Sequence, residues 1–285
     1  MPSLLLQTTD IDSFRSRSAQ LDGVSFQSIT PSGITLAALL ELACSWWMWT
    51  QNAANAPSQV VASWGMHLTD IRHANALLVD GAEVQKRCAP FDAPRKELWC
   101  IRSRDDWCGD PATLFQARFR RSLEQRGFGK KLSIALSKAM QEMADNVVQH
   151  SGRDDAHPAR GLVGYHIEER WMTYAVADVG RGILASLRTN PRWGSLLSSE
   201  GALRASICQH ASRRIDAPYG AGFSQVQKSL ADLNGKLRFR SGDACLTLAG
   251  YRDARRVILS SSPHLLGFQL AVTCSLDGED QPRPL

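Results

Sequence analysis

Residues 130–152 read KKLSIALSKAMQEMADNVVQHSG. Leu132, Leu136, Ala139, Met140, Met143, Val147 and Val148 recur with a period near 3.6, and Gly152 supplies a stop. The spacing predicts one long amphipathic helix. Glu142, Asn146 and His150 stand four residues apart, so they share its polar face. A carboxylate one turn from an amide can do two jobs. The Asn146 oxygen is a hard donor suited to Mg²⁺, which keeps several waters of its own. Glu142 can accept a proton from a water attacking a metal-bound phosphate. The same three residues equally suit the solvated face of any amphipathic helix, so the reading needs support from elsewhere in the chain.

Downstream, GLVGYHIEE and WMTYAVADVG are alternating runs around Glu169-Arg170, which predicts a β-hairpin. The second run ends in Asp178-Val179-Gly180-Arg181-Gly182. An acid at a strand end followed by two glycines is a close-approach loop. Glycine lets the backbone near a flat ligand, and the acid can accept from an exocyclic amine such as that of adenine. An ordinary strand-to-turn junction looks the same. Gly220 and Gly222 then open a helix at 224–233, where free amides and the positive end of the helix can cradle a phosphate. A plain glycine cap is the bland alternative. KLRFRSG, ACLTLAGY, RVILSS and GFQLAVTCSL read as further strands. Upstream, ELWCIRS reads as a strand and Asp110-Pro111 as an N-cap with proline at the first helical position. That helix is expected to end near Gln125, before Gly127. The second half is thus α+β, an antiparallel-looking sheet with helices on one face.

APFDAPRK at 89–96 marks a composition shift, placing a domain boundary near residue 93. Residues 1–93 read as a small α/β unit. VSFQSI (24–29) and QVVASW (59–64) are strand candidates, PSG at 31–33 is a turn and helix start, and 70–87 a further helix. The run 34–50, ITLAALLELACSWWMWT, carries Glu41 midway and is short for a membrane span, so a buried helix is expected. Residues 277–285 read as a disordered tail.

Each motif alone is common; their order is not. A helix with E-x-x-x-N-x-x-x-H, a strand ending DxGxG and then GxG opening a helix resembles the GHKL ATPases, which include gyrase, the heat-shock chaperones, histidine kinases and mismatch-repair ATPases. Glu142, Asn146 and His150 look like their N box, Asp178, Gly180 and Gly182 the first glycine box, and Gly220 and Gly222 the second. The resemblance implies a Bergerat-type two-layer α/β sandwich over 94–276, a mixed sheet with helices on one face, binding ATP and Mg²⁺ under a mobile lid. It implies that Glu142 polarises the attacking nucleophile, Asn146 holds Mg²⁺ and Asp178 binds the adenine amino group. The family's last-strand Gly-Thr is replaced by Leu266-Gly267-Phe268-Gln269, which makes the adenine contact less complete. The stretch 183–219 is the expected lid. With Arg181 it holds six arginines (181, 188, 192, 204, 213, 214) against Glu200 and Asp216, a field that would attract triphosphate.

Within the superfamily the short E-x-x-x-N-x-x-x-H-S helix most resembles the anti-sigma-factor and serine-kinase-like branch. The N-terminal unit resembles, faintly, a STAS-type domain. His67 precedes Leu68 and His73 precedes Ala74, so neither suits a phosphoacceptor helix. These readings imply a nucleotide-dependent switch or protein serine kinase acting on a partner protein, with a homodimer allowed. An ATP-driven clamp on nucleic acid is the alternative, disfavoured because few residues follow the last strand to act as transducer. A non-hydrolysing scaffold is the third reading, and Glu142 argues against it.

The whole chain bounds these choices. It has 285 residues, 44% of them hydrophobic and 21% charged, enough for one large domain or two small ones with a real core. Thirty-three basic against 28 acidic side chains leave +5, which permits nucleic acid without calling for it. Seven cysteines, an odd number with no CxxC, exclude a complete disulfide framework and point to a reducing cytoplasm. MPSLLLQTTDIDS lacks the basic start of a signal peptide, and no membrane association is expected.

Overall fold

The computed structural model describes residues 4–6, 31–51, 96–152, 160–209, 211, 235–251 and 254–276. The elements in chain order are β1 (Leu4–Leu6), β2 (Pro31–Ile34), α1 (Leu36–Gln51), β3 (Lys96–Ile101), α2 (Arg104–Cys108), α3 (Asp110–Gln125), α4 (Lys130–His150), β4 (Gly161–Ile167), β5 (Trp171–Asp178), α5 (Gly182–Leu187), a 3₁₀ turn (Pro191–Trp193), α6 (Ser199–Cys208), β6 (Lys236–Tyr251) and β7 (Ala254–Ser275).

Five strands form one sheet in the order β3-β4-β5-β7-β6, antiparallel at every pairing. The mixed sheet that the resemblance implies is not found among the described residues. The β4–β5 hairpin forms as expected, its turn closed by Glu168 N–H donating to the Trp171 carbonyl at 2.8 Å. The four strand candidates at the end of the chain fuse into two. KLRFRSG and ACLTLAGY are one strand, β6, whose register shifts at Gly242. RVILSS and GFQLAVTCS are one strand, β7.

The register sorts the side chains into two faces. Val163, Val176, Leu270 and Phe239 lie in one row across four strands, and Tyr165, Tyr174, Val272 and Leu237 in the next. This apolar face meets α3 through Phe115, Phe119 and Leu123, and α4 through Leu136, Ala139, Met140, Met143 and Val147. These are the periodic positions of the two helices, with Leu132 and Val148 partly buried at the margin. Within this layer Arg118 Nε donates to both oxygens of Glu97 (3.1 and 3.0 Å), and Tyr165 Oη donates to Glu97 Oε2 at 2.7 Å. The α3 cap is Gly109 rather than Asp110, which becomes the first helical residue.

The opposite face carries Leu162, Ala177, Gln269 and Arg240 in one row, and Gly164, Ala175, Ala271 and Arg238 in the next. Small residues leave room for a helix here, and α1 fills it, packing across β4, β5 and β7. A Cβ on Gly164 would sit 3.3 Å from Leu36 Cδ1. Within 94–276 the helices α3 and α4 share one face, as expected for that half; α1, contributed by residues 36–51, covers the other face and adds a third layer. Two-sided cover explains why every residue of β4 and β5 is buried, although their sequences alternate.

α1 matches the helix expected over 34–50, but its start differs. Pro31–Ile34 is a strand that pairs in parallel with β1, and Thr35 Oγ1 accepts from Ala38 N–H (3.3 Å) to open the helix. From 35 to 44 every residue but Ala37 is buried. Glu41 survives there because Arg240 pairs with it; both side chains are fully buried. Arg238 Nη1 lies 3.6 Å from Glu41 Oε2, and Arg240 Nη2 donates to the Pro263 carbonyl at 2.9 Å. Among the described residues no helix is long and apolar enough to cross a membrane. The expected strands at 24–29 and 59–64, the helix at 70–87, the boundary at 93 and the tail 277–285 lie outside the described residues.

Candidate functional site

α4 buries Met140, Met143, Ala144 and Val147 and turns Glu142, Asn146 and His150 away from that core. Glu142 is exposed; Asn146 and His150 are half-buried. Asn146 Nδ2 faces Met143 Sδ at 3.9 Å, which directs its oxygen the other way. Asp145, which the sequence reading did not single out, is held by Trp107 Nε1–H at 2.7 Å. Trp107 is fixed in turn by α2, whose cap is Ser103 accepting from Asp106 N–H (3.2 Å). Partial desolvation raises the Glu142 carboxyl above its ordinary value, and the nearby Asp145 charge raises it further. Burial also raises Asp145, against the lowering effect of the Trp107 bond.

Asp178 ends β5 and is 3% exposed. Its Oδ1 accepts from Gly180 N–H at 3.0 Å and from Phe268 N–H at 3.1 Å. Gly180 lies so close to the backbone of Ser151 that a Cβ there would collide with it. Arg181 Nε donates to the Gly152 carbonyl at 2.9 Å, while Ser151 Oγ turns back to the Val147 carbonyl at 2.5 Å. The Asp178–Gly182 loop is thus seated on the end of α4. The close approach made by Gly180 is to protein backbone. Gly182 has φ +77° and begins α5.

A third segment completes the cluster. Gly267 has φ +76°, and a Cβ there would strike both the backbone and the carboxylate of Asp178. Its carbonyl accepts from Ser241 Oγ at 2.7 Å, and Ser241 Oγ accepts from Ile183 N–H at 2.9 Å. Phe268 stands where the resemblance would place threonine; its ring packs edge-on against Phe239 at 6.0 Å. Ser151 and Ser241 were not predicted as site residues, Ser151 being signalled only by following His150 directly; Gly267 was read only as part of the altered last-strand motif. Gly220, Gly222 and the helix at 224–233 lie outside the described residues.

The expected lid differs from a loop over its described part. α5, the 3₁₀ turn and α6 occupy it, with Leu187, Ala202, Ala205 and Ala211 forming a small core and Leu203 and Ile207 joining the main one. Of the arginines assigned to the lid field, Arg181 is bonded to Gly152 and Arg192 lies over the Trp193 ring at 5.2 Å. Arg188 and Arg204 are exposed, and Arg213 and Arg214 lie outside the described residues.

No protein-family model matches the chain, and no curated protein matches it. The arrangement joins a carboxylate–amide–imidazole helix, a buried strand-end acid and a glycine loop around one corner of the sheet.

Proposed function

We propose that this chain is an ATP-binding regulatory protein of the GHKL type, with the Bergerat-type fold over 94–276. It acts as a nucleotide-dependent switch or protein serine kinase on a partner protein in the cytoplasm. The observation that carries this reading is the seating of the Asp178–Gly182 loop on the end of α4. Gly180 rests on Ser151 and Arg181 bonds Gly152, so two motifs separated in sequence are brought together.

The residues present fit Mg-ATP. The Asn146 oxygen is directed away from Met143, a hard donor of the kind Mg²⁺ takes beside phosphate oxygens. Bound Mg²⁺ would neutralise phosphate charge. Asn146 holds the cation in this reading, His150 lies one turn further along the same face, and Asp178 recognises the adenine amino group. Glu142 accepts the proton of the attacking water or serine, and its raised carboxyl is a stronger base than an ordinary glutamate. Gly220 and Gly222 would meet the phosphates. Turnover is expected to be slow. A homodimer is compatible with the reading, and an ATP-driven clamp on nucleic acid is the alternative.

Titration with a fluorescent ATP analogue, with and without Mg²⁺, tests it. Saturable, Mg²⁺-enhanced binding is expected. No saturation at millimolar nucleotide sinks the assignment.

A further inference from the structure

Three consecutive residues of β7 connect parts of the molecule that belong to different layers. Gly267 bonds Ser241 through its carbonyl, and Ser241 bonds the first turn of α5. Phe268 N–H bonds Asp178 at 3.1 Å. Gln269 reaches through the far face of the sheet: its Nε2 donates to the Ala37 carbonyl on α1, and its Oε1 accepts from Arg238 Nη1 at 3.1 Å. Gln269 is 1% exposed, and both ends of its amide are engaged. Arg240, paired with Gln269 across the strands, holds Glu41, so the row of Gln269 also helps to anchor α1, with Arg238 of the next row close to the same carboxylate.

A buried amide bonded at both ends has little freedom to shift without breaking a bond, and each broken bond leaves a buried polar group unsatisfied. Adjacent residues of one strand share that constraint. Any displacement of α1 that moves Ala37 pulls on Gln269, and Phe268 moves with it. Phe268 N–H and Gly180 N–H both meet Asp178 Oδ1, so that carboxylate oxygen is held in part by the strand residue next to Gln269.

We infer that α1 is the control element of the Asp178 site: its docking over residues 36–44, transmitted through Gln269, aims the Asp178 carboxylate. Gln269 is then a positioning residue for adenine selectivity. The inference rests on the proposed nucleotide reading for its ligand. Coupling between two sites is reciprocal, so ATP must favour docked α1 by the same factor that docked α1 favours ATP. Both effects require contacts that differ between docked and displaced α1, and the bond from Gln269 to Ala37 is such a contact.

Two measurements on the full chain test it. In Gln269→Leu the adenine-over-guanine preference of nucleotide binding should fall by about tenfold, the share of one or two lost buried hydrogen bonds. General destabilisation would weaken both nucleotides equally and leave the preference unchanged. In the wild type, Mg-ATP should slow amide hydrogen exchange over residues 36–44 by about tenfold, a readout that holds even if Gln269→Leu fails to fold. Wild type that binds ATP without slowing exchange there, or a folded Gln269→Leu with unchanged preference, overturns the coupling and leaves the nucleotide reading intact. Absence of ATP binding to the wild type overturns the nucleotide reading, and the role of α1 falls with it.

Discussion

Glu41 on α1 and Arg240 on β6 form an ion pair in which neither side chain reaches solvent. Desolvating two charges is costly, so such a pair adds little net stability, but removing one partner strands the other. Arg240→Ala is expected to destabilise the chain by about 3–5 kcal/mol. The double variant Glu41→Leu/Arg240→Met should recover most of that loss, because apolar replacements remove both charges. Urea unfolding of the single and double variants measures the difference. Equal losses in both would show that packing, and not the stranded charge, governs this contact.

At Gly180 the nearest obstacle is the Ser151 backbone, which cannot rotate away. Gly180→Ala should cost about 1–3 kcal/mol, the usual penalty of forced overpacking, and should abolish nucleotide binding by lifting the loop from α4. Gly129 offers a control, since a Cβ there meets nothing within 4 Å. Thermal melts of the two alanine variants, with nucleotide titrations alongside, separate the cases.

Asp178→Asn keeps an oxygen for the amides of Gly180 and Phe268 but removes the charge. Adenine nucleotides should lose about 1.5–3 kcal/mol of affinity and guanine nucleotides much less. Calorimetric titration with ATP and GTP reads this directly. Parallel losses would mean that Asp178 serves the loop alone.

If Glu142 is the base, as proposed, turnover should depend on pH through its ionisation, since only the carboxylate accepts a proton. Desolvation and the Asp145 charge both raise its pKa, so the acidic limb of the rate profile should lie above the ordinary value of 4.5. Asp145→Asn removes one raising influence, so the limb should move to lower pH. Glu142→Ala should cut turnover by about 10²–10⁴-fold with nucleotide binding retained. An unmoved limb in Asp145→Asn would show that Asp145 does not influence the base.

Thiol labelling checks the fold independently of any ligand. Cys108 and Cys208 are exposed, whereas Cys44, Cys100, Cys245 and Cys274 are buried. Burial pushes the thiols of Cys100 and Cys274 up to about 12, which removes their thiolate at neutral pH. A thiol-reactive dye should label Cys108 and Cys208 within minutes and the four buried thiols only on unfolding.

Helical periodicity sufficed for α4, the Asp110-Pro111 start and Gly127 marked α3, and alternating runs marked the β4–β5 hairpin. The run 34–50, short for a membrane span and carrying Glu41, pointed to a buried α1. It could not say what covers that helix. The partners of Glu41 lie some two hundred residues away, in a stretch, KLRFRSG, that read simply as a strand. The small residues Gly164, Ala175 and Ala271 were the local trace of the third layer, yet they become a row only once the register is known. At the site, Glu142, Asn146 and Asp178 were legible because spacing puts side chains on a helix face or a strand end. The backbone amide of Phe268 leaves no residue-type signal, and Gly267 was visible only as part of the altered last-strand motif, so their part in holding Asp178 emerges only from the fold.

The separation of 199 residues between Glu41 and Arg240 also has a consequence in time. A ribosome adding about 5–20 residues per second needs on the order of 10–40 s to make the arginine after the glutamate. Throughout that interval α1 has no counter-ion and lacks β7, one of the strands it packs across, so part of its apolar surface is open to chaperones or to other nascent chains. Slowing translation between the two positions should therefore lower the yield of soluble protein in cells, while refolding of the finished chain from denaturant would be spared that delay.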